Sequence, residues 1–348
     1  MSLRVPERLA TPLALTASLL AALLVFAAIL GLHGYSVYSF VRVVSSGFWP
    51  PVNLSWRISS IFVNSLPVLF PALGLIVAFR MGFWNIGAEG QLLVGMAAAT
   101  WVGVFLADRL PGASVLPIMV AASFIAGALW AAGPAVLRTW LGVNEVLTTL
   151  MLNYVAIHLV NYLVEYRWKD PHGFGFIRTP PLHETARIGA AEGAVMVLLA
   201  AGLVYFLLKY TRLGFELKII GSSPRAARYA GIRYAKVTLL AMVISGGLAG
   251  LGGMSVVAGL TGELMEAQRM SPGYGYTGII AAWLGRLHPV AVVAASLFLG
   301  LIYERQSVLQ ATLRLGVGYT MLFNGLLLFA AISSTYLEKR LREAGRIG

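Results

Sequence analysis

Ten apolar segments, at about 12–32, 58–79, 91–107, 115–137, 144–165, 191–208, 237–259, 274–287, 289–303 and 316–334, leave few ways to fold this chain. Most approach the roughly 20 residues that a helix needs to cross a hydrocarbon core of about 30 Å. Only 11% of the residues are charged and 58% are hydrophobic, whereas soluble domains carry about a quarter charged residues. The expected fold class is all-α: a polytopic membrane protein with a single transmembrane domain over 1–348. The stretch 12–32 follows Arg4 and Arg8 but exceeds a signal-peptide core of roughly 7–15 residues, so it is expected to remain as a first span.

The eighth segment is short, since 14 residues rise only about 21 Å, and 274–303 could instead be one kinked helix. Charge favours two crossings. Residues 209–236 hold Lys209, Arg212, Lys218, Arg225, Arg228, Arg233 and Lys236 against Glu216 alone, which marks a cytoplasmic segment. Ten spans place both termini on that side, together with Lys339, Arg340, Arg342 and Arg346, and make 285–289 a cytoplasmic break. The expected plan is a first span at 12–32, an outer loop at 33–57, spans two to six within 58–208, the basic loop 209–236, spans seven to ten within 237–334 and a tail at 335–348. The other long outer loop is 166–190.

The formal charge is +12, from 26 Lys and Arg against 14 Asp and Glu. Because the bases sit between apolar runs, they read as topology determinants rather than as a nucleic-acid surface. With no cysteine, thiolate metal sites and thiol nucleophiles are excluded. None of the five lysines lies in a phosphate-binding G-x-x-x-x-G-K-[ST] loop, and no H-E-x-x-H or G-x-S-x-G occurs. Catalysis by this chain, and a cofactor of its own, are therefore not expected.

Polar residues inside apolar segments are costly and tend to face a cavity or a partner. In 144–165, Glu145, Thr149 and Asn153 recur at i, i+4 and i+8 and drift only about 80° around a helix. His158, Asn161 and Glu165 form a second stripe. Interhelical hydrogen bonding and pathway lining both fit these stripes. The segment "RMGFWNIGAEGQLLVG" (80–95) sets Asn85, Glu89 and Gln91 among three glycines, and "MSPGYGYTGI" (270–279) is a second glycine-rich stretch. Paired broken helices in inverted repeats would look like this. An ordinary loop, with Glu89 favourably placed near a helix N-terminus, would also fit.

Within the basic loop, Ser223 suits an N-cap, Pro224 position N1 and Gly231 position C′. Between them lies a helix of about two turns, roughly 10 Å long. It is either a surface connector or a knob that docks in a partner's groove.

"NIGAEGQLLVG" (85–95), "VNEVLTTLMLNY" (143–154), "LKIIGSSPRAARYAGI" (217–232) and "SPGYGYTGIIAAWLGRLHP" (271–289), in this order, resemble the permeases of nucleoside-type ABC importers. Those belong with the ribose and branched-chain amino-acid permeases and work with basic-membrane-lipoprotein receptors. The resemblance covers about 60–330. It implies half of a pore in the plasma membrane, paired with a second, related permease chain in a pseudo-symmetric dimer. A cytoplasmic ATPase would bind ATP and Mg and engage Ser223, Pro224, Arg225, Ala227, Arg228 and Gly231. An extracytoplasmic lipoprotein would deliver a nucleoside or related sugar-containing metabolite. Asn85, Glu89, Gln91, Glu145, Thr149 and Asn153 would belong to the substrate pathway, where Glu89 either touches substrate or stabilises the break. A simple-sugar or branched-chain amino-acid permease is the neighbouring alternative. A proton-coupled transporter using Glu145, His158 and Glu165 is a more distant one.

Overall fold

The computed structural model describes residues 7–46, 54–173 and 175–346. Fourteen α-helices are described: α1 (Glu7–Leu32), α2 (Val37–Ser46), α3 (Leu54–Arg80), α4 (Ala88–Trp101), α5 (Gly112–Leu141), α6 (Glu145–Tyr162), α7 (Ala190–Tyr210), α8 (Arg212–Ser222), α9 (Pro224–Tyr229), α10 (Tyr234–Ser255), α11 (Ala267–Met270), α12 (Tyr274–Leu284), α13 (Pro289–Leu313) and α14 (Val317–Arg346). Short π-helical turns prolong α4, α6 and α10. Among the described residues the only bridge outside the helices joins Arg178 to Met265. The all-α class is as expected.

Seven described helices are long and apolar enough to cross a membrane: Ser55–Arg80, Ala88–Arg109, Gly112–Leu141, Glu145–Arg167, Glu184–Tyr210, Tyr234–Thr261 and Pro289–Gln310. Thr16–Leu32 is a shorter apolar helix. Residues 274–303 are not one kinked helix. Helix α12 has only 11 residues and ends in a turn where Arg286 and Leu287 adopt left-handed φ values of 52° and 55°. A guanidinium nitrogen of Arg80 donates to the Leu287 carbonyl at 3.2 Å and clips that turn to the end of α3.

The chain forms two compact units, 1–52 with 303–348, and 53–302. In the first, Phe26 of α1 meets Phe323 of α14 with ring centroids 4.7 Å apart and Phe40 of α2 at 5.5 Å. The second is organised around α10, which packs against α3, α4 and α5. Hydrocarbon gives apolar helices little reason to associate, so close approach of backbones has to supply the contact energy. Helix α10 achieves this with "SGGLAGLGGMS" (245–255), all of it buried. A Cβ at Gly253 would run into the Leu92 carbonyl of α4, and one at Gly250 into the Ser123 carbonyl of α5.

Gly253→Val should therefore lower the apparent melting temperature in detergent by several degrees, as overpacking costs about 1–3 kcal/mol. Gly133→Ala, on an open part of α5 with nothing within 4 Å of the new Cβ, should leave the melt unchanged or raise it slightly.

Candidate functional site: two helix breaks capped by their neighbours

Helix α3 ends in a Schellman motif. The amide of Phe83 donates to the Ala78 carbonyl at 3.2 Å and that of Gly82 to Phe79 at 3.0 Å, with Gly82 at φ +79°. The chain then turns through Asn85, whose side-chain oxygen accepts the Gly87 amide and the Gln91 side-chain amide, both at 3.0 Å. Its side-chain nitrogen donates to Gln91 Oε1 at 3.0 Å and Ser245 Oγ at 3.1 Å. All four hydrogen-bonding sites of Asn85 are thus used. Asn85 is 0% and Gln91 1% exposed, so neither could be left unpaired without a desolvation cost.

Helix α4 starts after Gly87, which has no side chain to cap it. Helix α6 supplies the missing groups. Asn153 Oδ1 accepts the Gly90 amide at 2.9 Å, and its nitrogen donates to the Ile86 carbonyl at 2.9 Å and the Tyr276 hydroxyl at 3.0 Å. One turn away, the Thr149 hydroxyl accepts the Ile86 amide at 3.3 Å and donates to the Glu145 carbonyl at 2.6 Å. The i, i+4 spacing on α6 thereby grips both backbone polar groups of Ile86 and one of the free donors of a helix start.

The second break runs from Gly262 to Gly273, both with positive φ. Its first residues are tied to the loop before α7: Leu182 donates to the Gly262 carbonyl at 2.7 Å and Thr179 to Leu264 at 2.9 Å. Helix α12 again starts after a glycine, Gly273. Ser271 Oγ accepts the Tyr274 amide at 3.2 Å. Glu89 accepts the next donor, the Gly275 amide, at 2.7 Å, and the Tyr276 amide and Ser271 hydroxyl also face its carboxylate. A carboxylate is the favourable group at a helix N-terminus, and here it comes from a different helix. This needs Gly275, since a Cβ there would lie 2.6 Å from Glu89 Cα.

Asn85, Glu89, Gln91, Thr149 and Asn153 therefore lie together in one buried seam joining α4, α6, α10 and α12. Glu145 does not join it through its carboxylate, which pairs with Arg138 of α5 at 3.2 Å in a partly exposed position. In the second stripe, Asn161 accepts the Ala267 amide at 2.8 Å and bonds Gln268 at 3.1 Å, while His158 and Glu165 are exposed. Ser245, Ser271, Gly275 and Tyr276 belong to the seam as well. Ser271, Gly275 and Tyr276 fall in a stretch whose glycines draw notice, but only folding shows what they meet; Ser245 lies in an apolar run with no local signal.

The basic loop forms the short helix expected. Ser223 Oγ caps α9 by accepting the Ala226 amide at 3.2 Å, and Pro224 is its first residue. Gly231 at φ +71° closes it, with Ile232 donating to Ala227 at 3.0 Å and Gly231 to Arg228 at 3.1 Å. Ala227 is buried; Arg225, Arg228 and Tyr229 are exposed, Tyr229 by 94%. At the end of α8, Gly221 rests on Arg80 and Met81, so closely that a Cβ would strike the Arg80 carbonyl.

Glu89→Ala should strip the acceptor from the start of α12 and reduce folded yield and melting temperature, at about 1–3 kcal/mol per buried donor left unsatisfied. Glu89→Gln keeps an acceptor oxygen and should lose much less. Melts of both variants in detergent check this; equal stability of Glu89→Ala and wild type would exclude the capping role.

The family described as the branched-chain amino acid transport system permease component matches residues 57–332. A glucose ABC transporter permease protein of Haloferax volcanii is 32% identical over 308 residues, covering 84% of this chain and 80% of that protein. A guanosine ABC transporter permease protein of Bacillus subtilis is 34% identical over 282 residues, covering 79% of each. A nucleoside ABC transporter permease protein of Lactococcus lactis is 27% identical, over 72% of this chain and 76% of that protein. No solved structure matches. By the extent of these matches, the chain belongs to the family of branched-chain amino acid transport system permease components, the permease subunits of ABC importers.

Proposed function

We propose that this permease forms half of a translocation pathway for a nucleoside or related sugar-containing metabolite, paired with a second, related permease chain. A cytoplasmic ATPase drives it from α9, and an extracytoplasmic lipoprotein delivers the substrate. The proposed setting is the plasma membrane, with ten crossings and both termini inside. The observation that carries the coupling is α9 itself: capped at both ends, anchored by Ala227 and presenting Arg225, Arg228 and Tyr229 outward.

A route for the motor's motion follows from the contacts. Helix α9 continues from α8, Gly221 of α8 sits on Arg80 and Met81, and these lead into the first break. Displacement of α9 would reach the peptide at Ile86, and through Glu89 the start of α12. On this reading the seam residues hold and move the pathway wall, with Asn85, Gln91, Thr149 and Asn153 as its frame.

For the substrate, two relatives above 30% identity carry different names, guanosine and glucose. A polyhydroxylated sugar ring is what the two have in common. A free sugar is therefore the second reading.

In proteoliposomes containing the ATPase and second permease, Arg228→Glu should lower ATP-driven uptake by about tenfold or more, the effect of losing an interface contact worth about 1.4 kcal/mol or above. Gly221→Val should leave ATP hydrolysis in place while uptake falls. Radiolabelled guanosine and glucose, each competed with the other unlabelled, decide the substrate class. Uptake by this chain alone would refute the motor reading.

A further inference from the structure

Two cavities away from the seam share Leu213 as a wall residue. One is an apolar groove of about 470 Å³ among α5, α7 and α10, lined by residues that include Phe124, Leu203, Leu207, Ile244 and Leu248. The other, also about 470 Å³, lies between α8 and the start of α10 and is lined by Arg212, Glu216, Gly231, Arg233 and Lys236. Leu213 lines both. A hydrocarbon slot and a cationic mouth thus sit side by side where the apolar α7 gives way to the polar α8.

The charge in the mouth is unbalanced. Its one carboxylate, Glu216, is already bridged by Arg212 at 2.8 Å. Among the described residues, Arg233 and Lys236 have no carboxylate partner. Nearby Lys209 is held by the Tyr205 hydroxyl at 2.8 Å and lines neither cavity. Two cations in excess of the one bridged carboxylate in the same pocket favour a phosphate-bearing anion.

We propose that the two neighbouring cavities together bind one anionic phospholipid that passes over Leu213, its headgroup phosphate between Arg233 and Lys236 and one acyl chain in the groove against Leu207. A soluble anion would use only the mouth, and an apolar partner helix only the groove. A lipid with a negative headgroup uses both. The groove also opens on the flank of α7, where Leu203 and Phe206 are 67% and 57% exposed, as suits a face turned to the bilayer. Basic pockets at the membrane boundary attract anionic headgroups in the same way. Because Gly231, which ends α9, lines the mouth, a bound headgroup would brace the junction of α9 with α10.

Native mass spectrometry of the full-length chain in detergent, titrated with phosphatidylglycerol and with phosphatidylcholine, tests the site. The wild type should retain phosphatidylglycerol preferentially. Arg233→Gln with Lys236→Gln, both exposed positions, should weaken that retention by roughly five-fold per cation removed. Leu207→Trp, which fills the groove, should reduce retention of both lipids. Glycerol phosphate in excess should not displace the bound lipid. Equal retention of the two lipids by wild type, an unchanged preference in the double variant, or displacement by glycerol phosphate would each overturn the proposal. Should Leu207→Trp fail to fold, the charge variant and the competition still decide it.

Discussion

A helix that starts at a buried position leaves backbone donors with no water to meet them, and both breaks of the 53–302 unit are built around that constraint. Both α4 and α12 begin after a glycine, which offers no side chain at the N-cap position. Asn153 supplies an acceptor to the start of α4, and Glu89 joins Ser271 at the start of α12. The two caps are linked in series, because Glu89 stands one residue from Gly90, the residue that Asn153 holds. Helices α6, α4 and α12 are thereby joined by hydrogen bonds whose loss would leave buried polar atoms unpaired. Such a joint favours whole alternative arrangements over partial ones.

Around this joint, packing rests on small residues. The glycines of α10 let α4 and α5 approach until backbone meets backbone, and Ser245 on the same helix completes the hydrogen bonds of Asn85. Helix α10 therefore carries both the close contact and one polar anchor of the first break. Arg80 adds another link, since it clips the turn after α12 while its own backbone lies under Gly221. The two breaks and the junction of α8 with α9 are thus mechanically adjacent although far apart in sequence.

Legibility in the sequence followed the range of the interactions. The N-cap at Ser223, Pro224 and the left-handed Gly231 are settled within nine residues, and local chemistry was enough to place them. The polar stripe of α6 was visible from helical spacing, but spacing could not show that Glu145 turns to Arg138 while Thr149 and Asn153 turn to Ile86. Glu89 was conspicuous as a carboxylate in an apolar setting. Its partner Gly275 lies 186 positions away, and that of Asn85, Ser245, lies 160 away, beyond any local pattern. The glycines of 245–255 passed as an ordinary span because hydropathy registers their apolar average and not their missing side chains. The shortness of the eighth apolar segment was legible as a number; its cause, a helix that starts at a carboxylate inside the fold, was not.

Hydrogen–deuterium exchange resolved to peptides covering 88–93 and 273–279 tests the cross-capping most directly. Amides held by side chains of other helices should exchange as slowly as those in the centre of α10. Exchange as fast as in the first turn of α10 at 233–235 would mean that these helix starts are open, and the joint described here would not exist.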